Sequence, residues 1–239
     1  MTRLVEALRE RLREVVTSHG LMDKEVIVRA EVLSPEQAIG NPGSDEFPLA
    51  RGVERLVEAN LEGYKGQAYT GCPRSFTGTL RDVLNLDLSD LGQRGVFVAV
   101  SNAVVRRLGL TQSTIHCRDQ GPWRCAEELA SSLHANRVAL IGYQPAMLRA
   151  LARRFEVRVT DMNPRNVGRV VEGVAIEPHS NNEELIEWAD VALITSSVVA
   201  NGTMENLLQL DLSRIVLYGV TGASAEALLG IKRWCISRL

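Results

Sequence analysis

The second half of the chain alternates short apolar runs with segments of helical periodicity. Five runs between residues 137 and 220 consist almost wholly of apolar residues. Strands that are apolar on both sides are typical of a parallel sheet covered by helices on each face. The predicted strands are 137–143, 157–164, 173–179, 190–197 and 214–220, and the predicted helices between them are 145–155, 181–189 and 204–210. This pattern predicts a Rossmann-like α/β domain.

The first half of the chain mixes its elements in a different order. Residues 3–18 form an amphipathic helical pattern whose apolar stripe contains Leu4, Leu8, Leu12 and Val15. Strand-like runs at 26–33 and 54–61 are predicted to pair as antiparallel neighbours. The remaining predictions are loops at 36–52 and 66–78, a helix that opens within 75–86, and a long apolar helix at 95–110 that closes at Gly109. Strands followed by helices predict an α+β domain.

These two patterns predict two domains, an α+β domain over residues 1–118 and a parallel-sheet domain over residues 119–239. The predicted boundary falls within 112–122, where the periodicity of the first half ends. The overall fold class predicted is therefore α/β, with an N-terminal α+β domain before the Rossmann-like domain.

Composition and charge exclude several classes of partner. The chain has 239 residues, 45% of them apolar and 23% charged, with a net charge of −2. This balance is typical of a globular protein with a substantial core and gives no field that would attract nucleic acid or an anionic membrane. No apolar run reaches the ~18 residues that cross a bilayer, and the N-terminal helix is charged, unlike a signal peptide. We therefore expect a cytoplasmic protein with four cysteines that form no disulfide framework.

Polar and turn-forming residues follow the predicted strands of the second half. In open α/β sheets, ligands bind at the C-terminal ends of the strands. The sequence therefore predicts a binding site for a small molecule at that edge of the sheet. Its candidate residues are Gly142, Tyr143, Asp161, Asn163, Ser196, Ser197, Asn201, Thr203, Thr221 and Gly222.

The first strand end argues against a dinucleotide cofactor. Asp161 follows Gly142 by 19 residues, where a ribose-binding acid lies in dinucleotide-binding folds. The turn "GYQPAM" has one glycine instead of three, however, and Pro145 removes an amide donor. The turn therefore argues against a nicotinamide or flavin dinucleotide and is compatible with a smaller nucleoside-like ligand. In the alternative interpretations, Asp161 bonds to its own turn, and Asn201 and Thr203 belong to a turn and a helix cap.

One histidine and two cysteines are close in sequence, within "TIHCRDQGPWRCAEELA" (114–130). His116 and Cys117 are adjacent and would point to opposite faces of an extended segment, so a single metal ion could not easily take both. The spacing from Cys117 to Cys125 is eight, wider than in structural zinc sites. Cys125 would lie in the first turn of a helix that begins at Pro122, where amides stabilise a thiolate. The three interpretations are a soft-metal site, a reactive thiol, and a cysteine packed as an apolar residue.

Several short motifs together resemble one family of uncharacterised proteins, named "putative heavy-metal chelation". The similar segments include "YTGCPRSFTGTLRDVLNL", "VFVAVSNAVVRRLGL", "PWRCAEELA", "RVALIGYQPAML" and "DVALITSSVVANGT". The resemblance implies an enolase-N-terminal-like domain before a Rossmann-like domain, with a cleft between them. It also implies metal binding, with His116, Cys117 and Cys125 as the soft-ligand candidates. Family members often have a Pro-Ser-Thr-Pro-like turn where this chain has "GVTGAS" (219–224).

Three functions are compatible with these observations. The first is binding of a metal ion or a small anionic or nucleoside-like ligand in the cleft between the domains. The second is an enzyme that acts on a nucleoside-like or anionic metabolite. The third is a homodimeric interaction protein that presents Trp123, Trp188 or Trp234.

Overall fold

The computed structural model describes residues 3–29 and 55–235, which form a mixed α/β fold with two sheets. One sheet has four antiparallel strands and the other has seven, most of them parallel. The predicted α/β class is thus confirmed. Among the helices of these residues, none combines the length and the apolar composition needed to cross a membrane. The predicted loop at 36–52 lies outside the described residues.

The four-stranded sheet belongs to the first half of the chain. Its strands are β1 (Glu25–Arg29), β2 (Arg55–Leu61), β3 (Tyr64–Thr70) and β4 (Phe76–Thr79), in the order β3-β2-β1-β4. The antiparallel pairing predicted for the first two runs is present, with Ile27 opposite Asn60. The predicted loop at 66–78 is wrong at both ends, because residues 66–70 belong to β3 and residues 76–78 belong to β4. In helix α1 (Leu4–Ser18), the buried residue one turn after Leu12 is Val16 and not Val15, which was predicted for the apolar stripe.

Two further helices complete the first half. These are α2 (Leu80–Leu84), which Thr79 caps, and α3 (Leu91–Arg107). Helix α3 begins four residues before the predicted start at 95, because the Asp90 side chain accepts a hydrogen bond from the Gln93 amide. Almost all residues of α3 from Gly92 to Val105 are buried, as expected of a helix that is covered on all sides.

The seven-stranded sheet belongs to the second half. Its strands are β5 (Arg137–Ile141), β6 (Glu156–Asp161), β7 (Val170–Val171), β8 (Val174–Pro178), β9 (Val191–Thr195), β10 (Ile215–Tyr218) and β11 (Arg233–Trp234). The order is β11-β10-β9-β5-β6-β8-β7, and only β7 runs antiparallel to its neighbour. The six parallel strands, numbered along the chain, therefore have the order 3-2-1-4-5-6, which reverses direction between β5 and β9.

Helices cover this sheet and connect its strands. They are α4 (Gly121–Ser132), α5 (Pro145–Ala152), α6 (Asn182–Trp188), α7 (Ser197–Asn201) and α8 (Ala223–Leu229). The helix predicted at 204–210 is wrong, since only a 3₁₀ turn at Leu207–Gln209 lies there. The chain instead enters α7 directly after β9, and Gly202 ends that helix with φ of +65°. Helix α6 begins one residue after the predicted start at 181, and the side chain of Asn181 makes no capping hydrogen bond.

The two halves share one hydrophobic core. Buried residues of α1 and α3 belong to the same cluster as buried residues of β9, β10 and α7. At the first turn of α1, the Leu4 amide donates to the backbone oxygen of Glu205, 3.2 Å away. The guanidinium of Arg94, on α3, forms an ion pair with the Glu205 carboxylate and also donates to the Leu88 backbone oxygen. This packing holds the first half against the loops that follow β9 and β10.

Candidate functional site

A cavity of about 440 Å³ lies at the C-terminal ends of β5, β6, β9 and β10. Its wall also includes Tyr69 from the four-stranded sheet and His116 and Cys117 from the segment that connects the two halves. The cavity lies beside the point where the parallel strand order reverses, which is where ligands bind in open α/β sheets. A volume of this size suits a small organic molecule.

Most of the residues predicted for a site come together around this cavity. Tyr143 and Asp161 follow the first two parallel strands, and the two serines follow β9. The predicted residues that line the cavity are His116, Cys117, Cys125, Gly142, Tyr143, Asp161, Asn163, Ser196, Ser197, Asn201 and Thr203. Their proximity follows from the parallel sheet, because the carboxyl ends of its strands share one edge.

Thr221 and Gly222 do not line the cavity. Thr221 is fully buried, and its hydroxyl accepts a hydrogen bond from the Tyr69 amide at 2.9 Å. Gly222 lies against Ser196, whose Cβ would be 2.9 Å from a Cβ at that position. These two residues therefore pack one wall of the cavity from behind and connect it to β3.

The carboxylate of Asp161 is bonded to its own surroundings. One oxygen accepts a hydrogen bond from the Tyr143 amide at 2.8 Å, and the other accepts one from the Asn163 amide at 2.6 Å. This geometry agrees with the interpretation of Asp161 as a strand-end acid that fixes the adjacent turns. Each oxygen retains a further lone pair, so the carboxylate can also accept a hydrogen bond from a ligand.

The first turn of α5 has few amide groups to offer a ligand. The Gln144 side chain caps the helix by accepting a hydrogen bond from the Met147 amide at 2.5 Å. Pro145 has no amide hydrogen, and the Tyr143 amide is bonded to Asp161. The Gly142 backbone oxygen accepts a hydrogen bond from the Tyr218 hydroxyl at 2.7 Å, which fixes the turn against β10.

His116 is held in the cavity wall by the four-stranded sheet. Its backbone amide donates to Oε1 of Gln67 at 2.7 Å, and Nε2 of Gln67 donates to Glu58 at 2.8 Å. The rings of His116 and Tyr69 pack edge to face, and their centroids are 5.3 Å apart. Burial lowers the pKa of His116 from 6.5 to about 4, and its Nδ1 atom is buried without a hydrogen-bond partner. The imidazole is therefore neutral at pH 7.

Three cysteines contribute to the cavity wall. Burial, together with the neighbouring Cys125 and Cys235, raises the pKa of Cys117 to about 12. Cys125 is 8% exposed and packs with the apolar residues of α4, which agrees with its interpretation as a cysteine packed like an apolar residue. Among the described residues, no group of three or more His, Cys, Asp or Glu side chains is arranged to hold a metal ion.

The sequence did not indicate several residues of the cavity wall. Tyr69 lies in the segment predicted as a loop, and Cys235 follows the two-residue strand β11. Tyr218 ends β10, so the rule that selected the other strand ends also applies to it. The further wall residues with aromatic or sulfur-containing side chains are Met147, Met162 and Trp234.

Comparison with known proteins agrees with this architecture. Residues 126–232 match the DUF364 family. That family is described as "Putative heavy-metal chelation". The match confirms the resemblance found in the sequence, and it covers the part of the chain that contributes most of the cavity wall.

Two solved structures of DUF364 proteins have a similar fold. One, from Pyrococcus horikoshii, is 17% identical over 92% of this chain and 80% of its own, with a TM-score of 0.55. The other, from Desulfitobacterium hafniense DCB-2, is 15% identical over 73% of this chain and 71% of its own, with a TM-score of 0.53. Both are described as proteins of unknown function, so at this identity the likeness concerns the fold alone. No curated protein matches the chain.

Proposed function

We propose that this protein binds a small nucleoside-like molecule in the cavity at the strand ends. The observation that carries this proposal is the position of the cavity, beside the reversal of strand order and against Tyr69 of the other sheet. The order 3-2-1-4-5-6 supports the Rossmann-like description of the second domain. We further propose that the cavity lies between two domains that meet near residue 118, the first of them enolase-N-terminal-like.

The cavity offers both kinds of contact that a nucleoside needs. Tyr143, Tyr218 and Trp234 provide aromatic surface for a planar base. Asp161, Asn163 and Asn201 provide oxygen and amide groups for ribose hydroxyls. Asp161 ends the second parallel strand, where an acid binds ribose in related folds.

The test is the thermal stability of the full chain with adenosine, guanosine, cytidine and uridine. A ligand at a hundred times its Kd adds about 2.7 kcal/mol to the stability of the folded state, so a bound nucleoside raises Tm. Thr203→Trp, at the exposed part of the wall, should fill the cavity and abolish the increase. Thr17→Trp on α1 is the matched control, because Thr17 is exposed and remote from the cavity. Unchanged Tm with all four nucleosides would refute the proposal.

Binding of a soft metal ion is the second candidate function. Cys117, Cys125 and Cys235 line the same cavity, and thiolates are the ligands that soft metals prefer. Since these side chains are not arranged as a metal site, the ion would have to displace their protons and draw them together.

Equilibrium dialysis of the reduced protein against Cd²⁺ tests this candidate. We expect one ion per chain, lost in Cys117→Ser and Cys125→Ser and retained in Cys72→Ser, whose thiol is exposed and outside the cavity. Equal Cd²⁺ binding by all of these variants would exclude the cavity as the metal site.

A further inference from the structure

We propose that the cavity selects ligands without a phosphate or other anionic group, so that its ligand is an uncharged or cationic nucleoside and not a nucleotide. This inference rests on the proposed function and narrows it to one chemical class. Three independent features of the cavity support it: its backbone donors, its charges and its apolar surface.

Several of the backbone donors that normally hold a phosphate are already occupied. In doubly wound folds, phosphate binds the free amides of the turn after the first strand and of the helix that follows it. In this chain the Tyr143 amide donates to Asp161 and the Met147 amide donates to the Gln144 side chain. Pro145 has no amide hydrogen to donate. A phosphate at this position would have to displace hydrogen bonds that the protein makes to itself.

The charges of the cavity wall would repel an anion. Among the described residues that line the cavity, Asp161 is the one acidic residue, and none is Lys or Arg. Asp161 lies at the end of β6, next to the turn where a phosphate would have to bind. Two histidines remain as potential cations. Burial keeps His116 neutral, and His179 is exposed, so water and salt screen any charge on it.

The surface of the wall suits an uncharged ring. Tyr69, Tyr143, Tyr218 and Trp234 contribute aromatic groups, and Met147 and Met162 contribute thioethers. A phosphate transferred to such a surface would lose its hydration without gaining a counter-ion, which weakens its binding. A nucleoside meets no such cost, because its base is planar and its hydroxyl groups find polar partners such as Asn201 and Thr203.

Isothermal titration of the full chain with adenosine and with AMP at pH 7.5 tests the inference. We expect AMP to bind at least tenfold more weakly than adenosine. Binding of AMP as tight as that of adenosine, or tighter, would overturn the inference and leave the proposed function standing. If neither compound nor any other nucleoside binds, both the proposed function and the inference are refuted.

A charge substitution at the edge of the cavity provides the second measurement. Met162 is 57% exposed and lines the cavity next to Asp161, so Met162→Lys should fold normally. The added cation should shift the ratio of AMP to adenosine affinity severalfold towards AMP, and added salt should reverse the shift. Met162→Gln is the matched uncharged control. An unchanged ratio in Met162→Lys would show that charge does not determine the selection, and would overturn the inference.

Discussion

The amide oxygen of Asn102 accepts a hydrogen bond from the backbone amide of Ser224 at 2.8 Å. The amide nitrogen of the same side chain donates to the backbone oxygens of Gln67, Thr221 and Val220, at 2.9, 3.1 and 3.3 Å. Asn102 is fully buried on α3. One side chain therefore joins β3 of the first half to the loop between β10 and α8 and to the first turn of α8, directly behind the cavity wall.

Replacement of Asn102 by alanine should destabilise the protein strongly. The Ser224 amide and the backbone oxygens of Gln67 and Thr221 would each lose a hydrogen bond inside the core. The Val220 oxygen would keep its bond from the Ala223 amide. Each buried group that is left unsatisfied costs about 1–3 kcal/mol. We expect the free energy of unfolding, measured in urea, to fall by about 3 kcal/mol or more. Asn85→Ala is the control, because Asn85 is exposed. A loss below about 1 kcal/mol in Asn102→Ala would contradict this role.

Gly66 lies where β3 approaches α3 most closely. A Cβ at this position would be 2.2 Å from the Ala103 amide nitrogen and 2.4 Å from the Ala99 oxygen, both backbone atoms of α3. Gly66→Ala should therefore separate the helix from the strand and destabilise the protein by about 3 kcal/mol. At Gly71, one residue beyond β3, a Cβ would meet nothing within 4 Å. Gly71→Ala should change the free energy of unfolding by less than about 1 kcal/mol; equal effects in the two variants would refute the close packing.

The parallel sheet could be predicted because its signal is local. Each strand of the second half is a short apolar run, and burial on both faces requires such a run at any position in the sheet. The ends of the strands were less predictable. The strand predicted at 190–197 ends at Thr195, and Ser197, its last predicted residue, already belongs to α7.

Strand β3 could not be predicted because the signal for it is not local in the sequence. Its residues 66–70, "GQAYT", include a glycine and have no apolar alternation, and their burial comes from contact with α3 at Gly66. The same limit applies to the candidate site. Asp161 and Ser196 could be selected because strand ends share an edge of the sheet. The bond of Thr221 to Tyr69 joins residues 152 positions apart and has no local signal.

The protonation of His116 should make stability depend on pH. Burial lowers the pKa from 6.5 to about 4, so between these values the unfolded chain binds more protons than the folded one. Stability is therefore complete above the unfolded pKa and is lost as pH falls towards the folded pKa. From pH 7 to pH 4.5, His116 should account for a loss of about 2–3 kcal/mol.

Urea unfolding of wild type and His116→Phe at both pH values measures this contribution. Carboxylates titrate in the same range, so the relevant quantity is the difference between the two proteins. The variant should lose about 2–3 kcal/mol less than wild type on acidification. The ring proton resonances of His116 should also titrate near pH 4. Identical losses in the two proteins, or a ring that titrates above pH 6, would contradict the burial of this imidazole.

The thiol of Cys117 should be unreactive in the folded protein. Its pKa is raised to about 12 by burial, whereas Cys72 is exposed on a loop after β3. At pH 8, a thiol of pKa about 12 is ionised in roughly one molecule in ten thousand. Since the thiolate is the nucleophile, iodoacetamide should modify the exposed Cys72 faster than Cys117 by about two orders of magnitude or more.

Peptide mapping after timed alkylation measures both rates, and alkylation in urea should make them equal. This experiment also bears on metal binding. Brief alkylation of the folded protein should block Cys72 and leave Cys117 free, so a chain treated in this way should bind Cd²⁺ as the untreated protein does. If Cys117 reacts as fast as Cys72 before unfolding, the cavity wall is open to solvent at this thiol, and a soft metal ion would need no rearrangement to reach it.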